Sequence, residues 1–326
     1  NRSVCGPITG GHGGESRNVK ELVVVSGKGG TGKTSILASF AALADGAVLA
    51  DCDVDAADLH LVLEPEIRTR ADFSGGNRAE INQAQCTGCG KCLEVCRFGA
   101  VRKEPAADGG RARFRIDPIA CEGCGVCVWF CPEKAIAFPP AVNGEWFRSD
   151  TRHGPMVHAK LGIAEENSGK LVSIVRQEAR KVGAEQGRHL VLIDGSPGIG
   201  CTVVASITGA SVVLIVTEPT VSGLHDLDRV AQLSNHFGIP GLVCINKWDL
   251  NPEMTAQIEA HAREQGLAVA GRVRYDRLVT EAQVHKRSVV EHRDDGSAAD
   301  IRGIWQAVKA RVDAVDDIQL DTEAVT

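Results

Sequence analysis

The chain has no apolar run approaching the roughly 20 residues needed to span a bilayer, and its first residues lack the charged, apolar and small-residue order of a signal peptide. It also lacks an excess of basic charge. With 36 Lys and Arg against 42 Asp and Glu, the net charge is −6 and the pI near 6.0, which argues against a protein whose main task is coating nucleic acid. A hydrophobic content of 43% with 24% charged residues excludes a disordered or fibrous chain. These absences predict a cytoplasmic protein with no membrane anchor and no nucleic-acid partner. Twelve cysteines stand out against that background, eight of them between Cys86 and Cys131. In a reducing compartment such a cluster reads as metal ligation before disulfides.

At 326 residues the chain is long for one domain and short for three. Residues 1–18 are Gly-rich without apolar periodicity and predict a flexible leader, with Cys5 incidental to it. From Glu21 onward, short apolar runs alternate with helical patterns: ELVVVS, KTSILASFAALA and AVLAD, then HLVLID, SVVLIV and GLVCINK with helices between them. Runs apolar at nearly every position suit parallel strands covered on both faces, so the fold class is α/β with a mostly parallel sheet. The rhythm breaks between 64 and 150, where Gly, Pro and cysteine accumulate. That range reads as an insertion, with a core at about 80–138, inside a discontinuous α/β domain of 19–63 and 151–315. The segment 316–326 reads as an acidic, solvated tail.

Gly27, Lys28, Gly29, Gly30, Thr31, Gly32, Lys33 and Thr34 fit G-x-x-x-x-G-K-[ST] between an apolar strand and a helix that continues through Ser35. Glycines let backbone N–H groups curl around a phosphate, Lys33 adds a cation at the β and γ oxygens, and Thr34 offers a hydroxyl to Mg2+. Asp194 ends the run LVLID, where a carboxylate holds Mg2+ through water, and Gly195–Gly200 forms a loop able to sense the γ-phosphate. Asp51 and Asp53 end another strand in DCDVD, and Asp55 and Asp58 read as helix-start residues. Asn246, in INKWD, suits hydrogen bonding to a purine edge.

The loop KGGTGKT resembles that of the MinD/ParA/Mrp and nitrogenase iron protein class of P-loop ATPases. The resemblance implies ATP as the nucleotide, with Asn246 reading adenine, and an ATP-dependent homodimer in which Lys28 reaches the partner's nucleotide. It also implies that Asp51 activates water and that Asp53 sits near the metal. Where that class commonly carries a proline-containing strand end near the base, this chain has GRVRYD.

Cys86-x2-Cys89-x2-Cys92-x3-Cys96 and Cys121-x2-Cys124-x2-Cys127-x3-Cys131-Pro132 give the bacterial two-cluster ferredoxin spacing twice. In that arrangement the fourth cysteine of each run serves the other cluster, so Cys86, Cys89, Cys92 and Cys131 would hold one 4Fe–4S cluster and Cys96, Cys121, Cys124 and Cys127 the other. Zinc is the competing use of paired CxxC units. Arg97 replaces the expected proline after Cys96. The stretch Arg97–Arg115 holds six basic and two acidic residues, which suits either an acidic redox partner or an ordinary exposed hairpin.

Together with ENSGKLV, IDGSPGIGC and VTEPTVSGLHDLDRV, these motifs resemble MinD-superfamily ATPases containing an inserted ferredoxin domain. The expected function is ATP hydrolysis coupled to electron transfer or to iron–sulfur cluster delivery to a partner protein. A non-catalytic scaffold and a spatial-positioning ATPase are the alternatives. Cys201 resembles a cluster ligand at the nitrogenase iron protein dimer axis, but without the second cysteine found there. It reads as a transient cluster contact or as a small packed residue at a helix start. Cys52 and Cys244 read as core, and His153, His158 and Lys160 carry no assigned role.

Overall fold

The computed structural model describes residues 19–105, 111–162 and 168–315. The expected leader, with Cys5, and the acidic tail lie outside the described residues. The chain runs β1 (Lys20–Ser26), α1 (Lys33–Leu43), β2 (Val48–Asp51), α2 (Leu59–Leu63) and β3 (Glu66–Phe73). A segment of short elements follows: β4 (Gly76–Asn77), β5 (Glu80–Ile81), α3 (Lys91–Val95), β6 (Val101–Glu104), β7 (Arg113–Ile116), α4 (Val126–Trp129), β8 (Ile136–Ala137) and β9 (Pro140–Ala141). Then come β10 (Gly144–Thr151), β11 (Gly154–Leu161), α5 (Ser168–Glu185), β12 (Leu190–Pro197), α6 (Cys201–Ile207), β13 (Val212–Thr217), α7 (Val221–His236) and β14 (Gly241–Asn246). The last elements are α8 (Pro252–Glu264), β15 (Ala268–Val273), α9 (Leu278–Val284), α10 (Val289–His292) and α11 (Ser297–Asp313).

Nine strands form one sheet in the order β15-β14-β13-β1-β12-β2-β11-β10-β3. Seven, from β15 to β11, are parallel, and β10 and β3 close the edge as antiparallel neighbours. Side chains of a strand alternate between faces, so every central strand feeds two cores. Val23, Val25, Val191 and Ile193 pack under α5 to α8, and Leu22, Val24 and Leu192 pack under α1, α2 and α9 to α11. This two-sided burial is why these strands read as unbroken apolar runs.

Two strands expected inside the insertion belong to this main sheet. β3 and β10 pair antiparallel, with Phe73 opposite Gly144, so the short-element segment emerges from the tip of an edge hairpin. The interruption therefore runs from Gly76 to Ala141 rather than from 64 to 150. β3 escaped the sequence reading because it is an edge strand with no apolar run. Glu66, Arg68 and Arg70 are exposed, and Arg68 pairs with Glu66 and Asp150, each at 2.7 Å. Charges along an open edge discourage pairing with another chain.

Between the tips, three antiparallel two-strand ladders, β4 with β9, β5 with β8 and β6 with β7, surround a small core of Ala79, Cys92, Val101, Phe114 and Ile136. Asn143 ties the base of the segment together by accepting the Gly75 N–H at 2.8 Å.

Glu21 on β1 is buried and paired with Arg176 on α5, which also donates to the carbonyls of Ala205 and Thr208 at 2.7 and 2.8 Å. Removing the guanidinium leaves two carbonyls without their donor and the buried carboxylate with Arg180 alone, at 3.2 Å. Arg176→Ala is expected to cost about 3–5 kcal/mol in denaturant unfolding, against less than about 1 kcal/mol for Arg68→Ala at the exposed edge. His158 on β11 stacks on Phe147 at 5.0 Å and shares a 2.8 Å hydrogen bond with Ser149. Burial, with a smaller contribution from His60, pushes its pKa down to about 4. The unfolded ring, at about 6.5, binds a proton that the folded ring refuses, so stability falls as pH drops from about 6.5 towards 4. Urea titrations across that range are expected to show a loss of up to about 3 kcal/mol that His158→Gln removes.

Candidate functional site

The loop between β1 and α1 is built from backbone conformations that favour glycine. Gly30 and Gly32 have φ of 79° and 86°, and a Cβ on Gly32 would fall 2.3 Å from Asn246 Nδ2. Asn246, at the end of β14, donates to the Thr31 carbonyl at 2.7 Å and so holds the loop from the side. Lys33 opens α1 and turns inward, donating to Asp194 at 2.7 Å and to Asp53 at 3.3 Å. Thr34 takes the other Asp194 oxygen at 2.7 Å. Burial alone would push the Lys33 ammonium down, but Asp194 and Asp53 more than offset it, and its pKa lies above the usual lysine range.

The two aspartates of DCDVD separate in the structure. Asp51 is fully buried, and its two oxygens accept the N–H groups of Asp53 and Leu59 at 3.2 and 3.3 Å. Burial, reinforced by Asp194 and opposed by Lys33, holds its carboxyl well above the ordinary carboxylate range. Asp53 instead lines the cleft beside Lys33, and burial raises its pKa as well. The carboxylate that faces the cleft is thus Asp53, while Asp51 braces the loop behind it.

This cleft has a volume of about 850 Å³ and is lined by the loop from Gly29 to Ile36, by Asp53 and by Asn246. Its far wall includes residues of the GRVRYD segment, where the resemblance implies a strand end near the base. Arg274, Tyr275 and Asp276 follow β15 into the wall, and Gln283 on α9 donates to Ser35 at 2.9 Å. Asp249 of INKWD accepts the Tyr275 N–H at 2.7 Å and so fastens that wall. Lys28 lies at the loop's outer side, 3.5 Å from Glu218 and 3.3 Å from Ser222. Glu218 also binds Lys247 at 2.5 Å, a contact that the sequence did not suggest.

The eight clustered cysteines line two small cavities. Cys86, Cys89, Cys92 and Cys131 line one, and Cys96, Cys121, Cys124 and Cys127 line the other. Each set therefore joins three cysteines from one run to the fourth from the other. Among the described residues, no three or more His, Cys, Asp or Glu are arranged to hold a single metal ion. A zinc site would bring four ligands within about 2.0–2.3 Å of one point. All-sulfur sets of four suit zinc and iron–sulfur groups alike. Burial and the neighbouring cysteines push the Cys127 thiol up to about 11.

Cys201 lines neither cavity. It is exposed at the first position of α6, beside Gly169, so it is not the packed residue expected at that helix start. Cys52, just past β2, and Cys244, in β14, are fully buried, and burial pushes the Cys244 thiol up to about 12.

Residues 22–289 match the CobQ/CobB/MinD/ParA nucleotide binding domain. The chain belongs to that family. An uncharacterized protein of Methanocaldococcus jannaschii, MJ0578, is 34% identical over 72% of this chain and 80% of its own. The septum site-determining protein MinD of Pyrococcus horikoshii, solved with Mg-ADP, superposes with a TM-score of 0.54 at 14% identity, over 89% of this chain and 96% of that one. MinD of Aquifex aeolicus, solved in complex with MinC, gives 0.53 at 16% identity over 90% and 96%. The fold is thus that of a MinD/ParA-type P-loop ATPase, with a nucleotide-binding domain.

Gly32→Ala is expected to lower affinity for a fluorescent ADP analogue more than about tenfold. Both the left-handed backbone and the Asn246 amide oppose the added methyl, while the far-ultraviolet circular dichroism should stay unchanged.

Proposed function

We propose that this protein is a Mg2+-dependent ATPase carrying two 4Fe–4S clusters, whose nucleotide state governs electron transfer, or cluster delivery, to a partner protein. The two cavities, each lined by four cysteines drawn from both runs, carry the iron–sulfur half of the reading. Clusters in such sites supply reversible one-electron storage.

At the nucleotide, the loop from Gly27 to Ser35 would cradle phosphates, Lys33 would stabilise charge on the transferring group, and Asn246, which holds that loop, is assigned to read adenine. Thr34 and Asp194, with Asp53 beside them, form the oxygen set that would hold Mg2+, which neutralises the β- and γ-phosphate oxygens. The buried ammonium of Lys33 already rests on two carboxylates, and incoming phosphates would compete for it. Of the two aspartates Asp51 and Asp53, Asp53 faces the cleft, and it is assigned the water-orienting role that the resemblance gave to Asp51. Lys28 is assigned to the partner's nucleotide in an ATP-dependent homodimer, a movement that would require it to leave Glu218 and Ser222.

A second reading, with the clusters as cargo, rests on Cys89 and Cys124, the exposed members of their sets. Mixing the loaded protein with an apo-acceptor separates the two. Iron that stays through reversible one-electron titration supports electron transfer, and iron that moves to the acceptor supports a carrier. After anaerobic reconstitution, about eight iron atoms per chain are expected. Cys89→Ala is expected to lower that to about four without changing ADP binding. Wild-type protein retaining less than about two iron atoms per chain would remove the iron–sulfur reading. Asp53→Ala is expected to lower ATP turnover by about 100-fold or more while ADP binding is kept.

A further inference from the structure

The β6–β7 hairpin turns one face to both cysteine cavities and the other to solvent. Phe114 lines the first cavity, and Val101 and Ile116 line the second. The register sets Val101 opposite Ile116, Lys103 opposite Phe114, Arg102 opposite Arg115 and Glu104 opposite Arg113. Cross-strand partners share a face, so Arg102, Arg113, Arg115 and Glu104 form the outer one. Like charges directly opposite one another destabilise a ladder, and Arg102 faces Arg115 in a hairpin of only two strands. Asp117 and Glu104 offset this at 3.0 and 3.1 Å, yet both guanidiniums remain 63% exposed. Arg97, also exposed, adds a further positive charge shortly before the hairpin, on a chain whose net charge is −6. Ile119 is 77% exposed at the rim, two residues beyond the Asp117 that pairs with Arg102.

We propose that the outer face of this hairpin is the docking surface for an acidic electron-carrier protein, with Ile119 as its apolar contact. The proposal rests on reading the cavities as cluster sites. Complementary charge speeds encounter and fixes orientation, and an apolar residue inside a charged rim supplies residence time. A partner seated there lies one strand layer from both sets of cysteines.

The test uses the anaerobically loaded protein with an acidic 2Fe–2S ferredoxin as the probe, and its binding is measured by titration calorimetry. Affinity is expected to fall by about tenfold or more between about 20 and 200 mM salt. The double variant Arg113→Glu, Arg115→Glu should weaken binding by about tenfold or more at low salt, with iron content unchanged. Ile119→Ser should weaken it by about fivefold and leave the salt slope intact, and Arg68→Glu on the edge strand β3 should do nothing. Equal binding by the double variant, or equally tight binding of a single-stranded DNA to the same face, would overturn the proposal. The same samples separate it from the cluster reading. Full iron with no ferredoxin binding removes the docking surface alone, and expected binding without iron removes the clusters alone.

Discussion

The buried ion pair between Lys33 and Asp194 is the contact on which the nucleotide site depends. It joins the first residue of α1 to the middle of β12, and Thr34 completes it from the same helical turn. A buried ammonium without counter-charge would cost several kcal/mol, so the loop, β2 and β12 hold their mutual positions around it. Such a pair is also a poised site. The carboxylates that satisfy the lysine are the groups that would hold Mg2+, and phosphate oxygens are the natural replacement partners for the lysine. Structure and chemistry at this point are therefore the same set of contacts.

The cysteine segment follows a different constraint. Its two ends leave and rejoin the sheet as adjacent strands, β3 and β10, at the open edge. A segment grafted there leaves the order of the seven parallel strands undisturbed, which is how an ATPase fold can carry it. Inside the segment, a residue from each run completes the other run's set, so neither half can form its cavity alone. The small core of Ala79, Phe114 and Ile136 is too slight to hold these loops by apolar burial alone, and groups ligated by both runs would act as cross-links.

Legibility in the sequence followed how local each feature is. The phosphate loop was readable because its glycine positions and the lysine after them are demands of one continuous stretch of backbone. The central strands were readable because both their faces are buried. β3 was not, because an edge strand rich in charge has no apolar period to display. The division of labour between Asp51 and Asp53 was also hidden. Two residues apart in one turn, they differ only in whether backbone N–H groups or open cleft lie ahead of each carboxylate. The wall from Arg274 to Asp276 was pointed to by the family resemblance alone, and its place in the cleft comes from the pairing of β14 with β15.

By itself, the sequence determined the α/β class, the phosphate loop and the two cysteine runs, because each is written in spacing along a few consecutive residues. Tertiary structure alone decided which carboxylate meets the cleft, where the interruption begins and ends, that Cys201 is exposed, and that Lys28 rests on Glu218. Those outcomes depend on strands brought together from distant parts of the chain, where burial and hydrogen-bond satisfaction, rather than local propensity, choose among chemically identical side chains.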